Sequence, residues 1–226
     1  MKFEAGFRFA ALISFFVIES QIFYRELIFR GSPLQERRFP AMHFYCQLNY
    51  EHILYPSPTS PNGNIANNGC GVCCASMVVE YLTGEVFPPE ESAVLAKSCG
   101  AREGFGTDMR IFAPAFSKEK GLNWESTLDP ERVLAFLRSG QGVVIGNTSG
   151  DREGWTGVFS DSRHYIVLVS AEGNTVRVWD PLLAPGRYDT PGRAGKVRVE
   201  GFDAYADFSV ILGDCGLRSF YLFRKA

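Results

Sequence analysis

Residues 67–84 read NNGCGVCCASMVVEYLTG, and the organisation of the chain follows from this stretch. Cys74, Met77, Val78 and Tyr81 fall at i, i+3, i+4 and i+7, which predicts a helix from Cys70 to Leu82. Gly84 ends it, because glycine tolerates the left-handed conformation that closes a helix. Cys70 therefore stands at the helix N-terminus, where free N–H groups and the positive dipole end favour thiolate over thiol. The same N–H groups can donate to an oxyanion formed on attack. Gly69 and Gly71 let the backbone turn sharply and let a substrate approach. The competing reading makes Cys70 a buried small hydrophobe, the ordinary fate of a cysteine in a helix.

Three further helices are expected downstream. Pro88-Pro89-Glu90-Glu91 opens one that runs to Cys99 and stops at Gly100. Thr107 or Asp108 caps the second, which carries Met109, Phe112, Ala113 and Phe116 on one face and ends at Gly121. Pro114 inside it predicts a kink or a split. Asp129-Pro130-Glu131 starts the third, which ends at Gly140.

After residue 140 the period changes. Val143–Asn147, Tyr165–Ser170, Val176–Asp180, Lys196–Glu200 and Ser219–Arg224 are short β-branched or aromatic runs between turn residues. The second and third are joined through AEGNT, a hairpin signal. Upstream, residues 31–69 are rich in Pro, Asn, Ser and Gly, irregular apart from one extended piece at His43–Leu48. Helices first and strands second, without βαβ alternation, make an α+β pattern.

The chain has 226 residues, room for one well-buried domain, with 46% hydrophobic and 21% charged residues in the ordinary globular range. A formal charge of −2 argues against a nucleic-acid binder, which needs a basic face. No Lys/Arg run marks a membrane-surface patch, so a small or peptidic partner is expected. Six cysteines are too few for a disulfide scaffold in a chain this long, and a reducing cytoplasm is the simpler reading. Ala10–Ile18 is apolar and follows Lys2 and Arg8, as a signal-peptide h-region would. Glu19 interrupts it, no small-x-small cleavage site follows, and the run is too short to span a bilayer. A packing helix is the other reading of residues 1–40; compartment stays open, with cytoplasm slightly favoured over export.

The chain contains three histidines, His43, His52 and His164. The first two lie in the irregular region, whereas His164 begins a strand and so is held at a cleft mouth by a rigid sheet. Asp180 stands at the end of the hairpin's other strand. Antiparallel pairing puts the start of one strand beside the end of the next, so His164 and Asp180 become neighbours. A carboxylate there fixes the imidazole tautomer while the other ring nitrogen serves a thiol. The plainer reading of Asp180 is a turn residue before Pro181. Cys70-x-x-Cys73-Cys74 lacks a second ligand pair at zinc spacing, and it follows a loop rather than the strand of a redox motif. Cys73 and Cys74 are read as helix residues, Cys74 on the buried face. The glycine-rich segments Gly100–Thr107 and Gly146–Gly157 have no phosphate-loop ending. The second is expected to rim the cleft, with Trp155 either a substrate contact or part of an ordinary surface loop.

Gln47-Leu-Asn-Tyr50, Gly69-Cys70-Gly71-Val-Cys-Cys-Ala-Ser-Met77-Val78, Leu82-Thr83-Gly84, Gly106-Thr107, His164-Tyr165-Ile-Val and Asp180-Pro181, in this order, resemble the C39-like peptidase family. These are bacterial papain-like cysteine peptidases, related to the domains that trim double-glycine leaders from bacteriocins. The resemblance covers roughly residues 43–224 and implies a papain-like α+β fold: a helical N-terminal half carrying the cysteine, and an antiparallel sheet carrying His and Asp. It implies a peptidase domain at 41–226, with Cys70 as nucleophile, His164 as general base and Asp180 as orienting residue. It further implies Gln47 as oxyanion donor beside the Cys70 N–H; Asn64, Asn67 and Asn68 are its rivals by position. A peptide or protein substrate is implied, with no metal or organic cofactor. Val72, Cys73 and Cys74 depart from the family's usual Pro and small hydroxyl residues, and Arg163 replaces the usual glycine before the histidine. No ATP-binding cassette or membrane-spanning region follows, so the exporter itself is not expected. Transfer or deamidation by the same triad, and a catalytically silent binding domain, are the alternatives.

Overall fold

A computed structural model of the chain describes residues 44–104 and 106–226. The expected extension at 1–40, with its apolar run, lies outside the described residues, as does His43. In chain order the elements are α1 (Ile65–Asn68), α2 (Cys70–Thr83), α3 (Pro89–Ser98), β1 (Arg102–Glu103), β2 (Gly106–Thr107), α4 (Met109–Lys120), β3 (Leu122–Thr127) and α5 (Pro130–Ser139). Then come β4 (Gly142–Thr148), β5 (His164–Glu172), β6 (Thr175–Trp179), β7 (Val197–Glu200), β8 (Asp203–Asp207), α6 (Phe208–Cys215) and β9 (Phe220–Lys225). The fold is α+β, as the switch of period at residue 140 predicts.

Local signals account for most boundaries. Asp108 accepts from the Arg110 N–H, and Asp129 from those of Glu131 and Arg132, so each caps its helix. Gly84, Gly121 and Gly140 close α2, α4 and α5 at φ of 77°, 64° and 65°. Pro114 does not split α4, which runs unbroken from Met109 to Lys120. Its missing N–H forfeits one bond, to a carbonyl in the helix's first turn. At the amino-terminal side, a 3-10 turn at Gln47–Tyr50 replaces part of the extended piece expected at His43–Leu48. A distant contact helps fix that turn: the Gln47 N–H donates to the Pro181 carbonyl at 2.8 Å.

Seven strands form an antiparallel sheet in the order β3-β9-β4-β5-β6-β8-β7, and β1 pairs with β2 separately. Val143, Ile145, Val167 and Val169 pack with α2, α3 and α4 on one face. Val144, Ile166 and Leu168 pack with α5 and α6 on the other. Because both faces are covered, the central strands read as unbroken apolar runs rather than alternating ones. The helix that Cys70 opens is enclosed as well: every residue from Gly71 to Glu80 is buried, not one stripe of them.

Candidate active site

Cys70 opens α2 with no side chain capping the helix, so its first-turn N–H groups are not claimed by a cap. The flanking glycines serve packing rather than the expected approach of substrate. A Cβ on Gly69 would lie 2.5 Å from the Ile65 carbonyl oxygen, and one on Gly71 2.8 Å from the Thr107 Cβ. Glycine at both positions lets α2 seat against α1 and the β1–β2 hairpin.

His164 and Asp180 meet as the hairpin predicts. His164 Nε2 bonds Asp180 Oδ1 at 2.7 Å, and both side chains are buried. This engages one ring nitrogen and leaves Nδ1 for a second partner; Cys70 and His164 line the same cleft, and each shifts the protonation of the other. Asp180 is held on all sides. Its Oδ1 also accepts the Leu182 N–H at 2.8 Å; Oδ2 accepts Arg187 Nε at 3.0 Å and the Tyr188 hydroxyl at 2.6 Å.

These contacts set the charges. Burial alone would push the Cys70 thiol up, yet the hydrogen bond and charge of His164, with the Tyr165 and Gly71 backbone N–H groups, bring it below its ordinary value. Burial disfavours the His164 cation, but the Asp180 charge and hydrogen bond, and then Cys70, raise it to about 9. Burial also works against the Asp180 anion, and His164, Arg187 and Tyr188 hold it below the usual carboxylate range. Both shifts run in the direction that favours the Cys70 thiolate and the His164 imidazolium. By contrast Cys73 and Cys74, one turn along the same helix, are fully buried and pushed well above the thiol range. Both are core residues, whereas the sequence put only Cys74 on the buried face.

A cleft of about 980 Å³ opens over the pair, lined among others by Gln47, Asn67, Asn68, Thr107, Asn147 and Tyr165. Gln47 is buried, and its Nε2 donates to the Ala66 carbonyl at 2.6 Å, which fixes the amide and leaves its second N–H. Of the rival asparagines, Asn64 is spent on capping α1 through the Asn67 N–H at 3.0 Å. Asn68 Oδ1 accepts from Ser60 Oγ at 3.3 Å, and Asn67 stands exposed on the rim.

Trp155 is not a substrate contact. Its indole N–H donates to the buried Asp214 at 2.8 Å, and its ring fills the space beside Gly213. Of the Gly146–Gly157 segment Asn147 lines the cleft, and beyond it Ser160, Ser162 and Arg163 do so. Sequence reasoning missed Arg187, Tyr188 and Asp214. The first two follow Pro185-Gly186, where Gly186 at φ 74° turns the chain back towards Asp180. That Pro-Gly pair was the available signal.

The model of the Peptidase_C39 like family matches residues 43–205. No curated protein matches the sequence. Among solved structures, the chain is similar to the peptidase domain of Streptococcus ComA, a bi-functional ABC transporter involved in a quorum sensing pathway (11% identity, 70% of this chain and 93% of that one, TM-score 0.48). It is also similar to a chain described as a C39-like peptidase from Bacillus anthracis (14%, 70% and 90%, TM-score 0.48). A third is a double glycine motif protease from an AMS/PCAT transporter, solved with a leader peptide (14%, 70% and 84%, TM-score 0.42). The family match spans well over half of the sequence, and the chain belongs to the Peptidase_C39 like family.

Proposed function

We propose that the protein is a cysteine peptidase acting on a peptide or other amide through Cys70, His164, Asp180 and Gln47. The observation that carries this reading is the buried His164–Asp180 hydrogen bond at 2.7 Å beside the cleft that Cys70 and His164 both line. The Cys70 thiolate attacks the carbonyl carbon, and a C–S bond forms as the oxygen takes up negative charge. The Cys70 N–H and the second N–H of Gln47 donate to that oxygen. The His164 imidazolium gives its proton to the leaving nitrogen, and the C–N bond breaks. His164, now neutral, takes a proton from water; the resulting hydroxide attacks the thioester, and the C–S bond breaks to release the acid. Asp180 keeps the ring oriented and stabilises its cation throughout.

The test is alkylation at pH 6 with iodoacetamide, mapped by mass spectrometry. Cys70 is expected to label at a pH where its five neighbours in composition stay largely thiol, and Cys70→Ala should abolish that labelling together with peptide cleavage. Unchanged labelling in Cys70→Ala would sink the nucleophile assignment.

A further inference from the structure

The wall of the cleft made by the end of the sheet is cationic. Arg163 immediately precedes His164 at the mouth of β5, and Arg218 and Ser219 lead into β9; all three line the cleft, with Asn147 of β4. Strands β5, β4 and β9 are adjacent in the sheet, which puts Arg218 two strand spacings from His164, about 10 Å. Among the described residues neither Arg163 nor Arg218 has a carboxylate partner. Arg218 is half-buried, and its Nε is shut off from solvent without an acceptor.

Other sheltered arginines of the domain have partners, although Arg102 also leaves one nitrogen and Arg177 its Nε without an acceptor; Arg177 is paired with Asp203 at 3.6 Å. Arg102 donates to the carbonyls of Tyr55, Glu103, Gly104 and Gly106, Arg187 to Asp180, and Arg193 to the Gly157 carbonyl. A sheltered N–H without a partner costs desolvation free energy that a bound acceptor would recover. The acids lining the cleft are Glu103 and Asp108, and Asp108 is taken by Arg110 at 2.6 Å and by the first turn of α4. The guanidinium fork fits one chemistry best, a carboxylate accepting two N–H bonds.

We propose that Arg218, assisted by Arg163, forms a carboxylate-binding subsite of the cleft. The substrate then carries an acidic side chain or a free C-terminal carboxylate within about three residues of the cleaved bond, at about 3.4 Å per extended residue. This inference rests on the peptidase reading above, whose cleft it shares.

The test is kcat/KM of the full-length chain on a randomised peptide library with amidated C-termini. One position at a time is fixed as Glu or as Gln, and neutral peptides are run beside it with free C-terminal acids. One Glu position, or the free acid, is expected to exceed its neutral counterpart about 10- to 100-fold. The arm that responds names the source of the carboxylate. Arg218→Gln should bring that ratio close to one, and Arg163→Gln should lower it in part. If Arg218→Gln does not fold, as judged by circular dichroism, the wild-type ratio must instead fall with rising ionic strength. Equal rates for Glu, Gln and free-acid peptides overturn the subsite while leaving the peptidase standing. Absence of cleavage across the whole library overturns the peptidase reading, and the subsite with it.

Discussion

Two aspartates in this domain are equally buried and do different work. Asp180 and Asp214 are both 0% exposed. Asp180 faces His164, Arg187 and Tyr188, donors that carry or can exchange a proton, and one backbone N–H. Asp214 faces only neutral, fixed donors: the Trp155 indole at 2.8 Å and the Val158 and Phe159 N–H groups at 2.7 and 2.8 Å. Its own carbonyl accepts the N–H and hydroxyl of Ser149. Asp214 thereby pins the segment between β4 and β5 that delivers His164, while Asp180 sets that histidine's charge. Burial of a carboxylate is therefore a poor guide to chemistry; the identity of its donors is the better one.

That contrast can be broken most sharply at Asp180. Asp180→Asn should cut kcat/KM about 10³- to 10⁴-fold, the scale expected when the orienting acid of a triad is lost. The fall in rate on raising the pH, expected near 9 as the His164 cation deprotonates, should move to lower pH, since the attraction that raises His164 is gone. A rate limb that stays near 9 would contradict the role given to Asp180. Asp214→Asn should act on stability instead, lowering the free energy of unfolding by about 2–4 kcal/mol in a urea titration as charge-assisted bonds are lost. Its pH–rate limbs should stay in place; a shift would mean that Asp214 also reaches the His164 charge. The smallest effect is expected from Tyr188→Phe, about 1 kcal/mol in the same titration. Without that hydroxyl Asp180 turns more of its charge to His164, so the alkaline limb moves up, opposite to Asp180→Asn. A downward shift would reverse the reading of Tyr188.

How much of this was legible in the sequence depended on whether a local signal existed. Asp108, Asp129, Gly84, Gly121 and Gly140 act within a turn of their own helices, and the boundaries they mark were readable. The His164–Asp180 pair was readable because a short hairpin determines it. Strand β3 was not: LNWEST is an edge strand, mostly polar and paired only to β9, so it shows little apolar signal. Strand β8 and helix α6, DAYAD followed by FSVILGDC, run together without a turn residue between them. Trp155 could be read from the sequence either as a substrate contact or as part of a surface loop, because its partner, Asp214, lies 59 residues away. Arg187 and Tyr188 likewise gain meaning only when the chain after Asp180 turns back on it. Gln47 could be named only through the family resemblance, since its 3-10 turn depends on Pro181.

The enclosure of α2 has a consequence for the life of the chain before it is finished. Cys70 owes its charge state to His164 and to the Tyr165 N–H, groups made long after it in sequence, and to a helix that packs into a core completed by β9. While the polypeptide emerges from synthesis, Cys70 is one ordinary thiol among its neighbours, weakly nucleophilic at neutral pH. Reactivity arrives late, with closure of contacts far apart along the chain. On the proposed reading folding is in this sense the activation step, since an unfinished chain lacks the assembled Cys70 and His164.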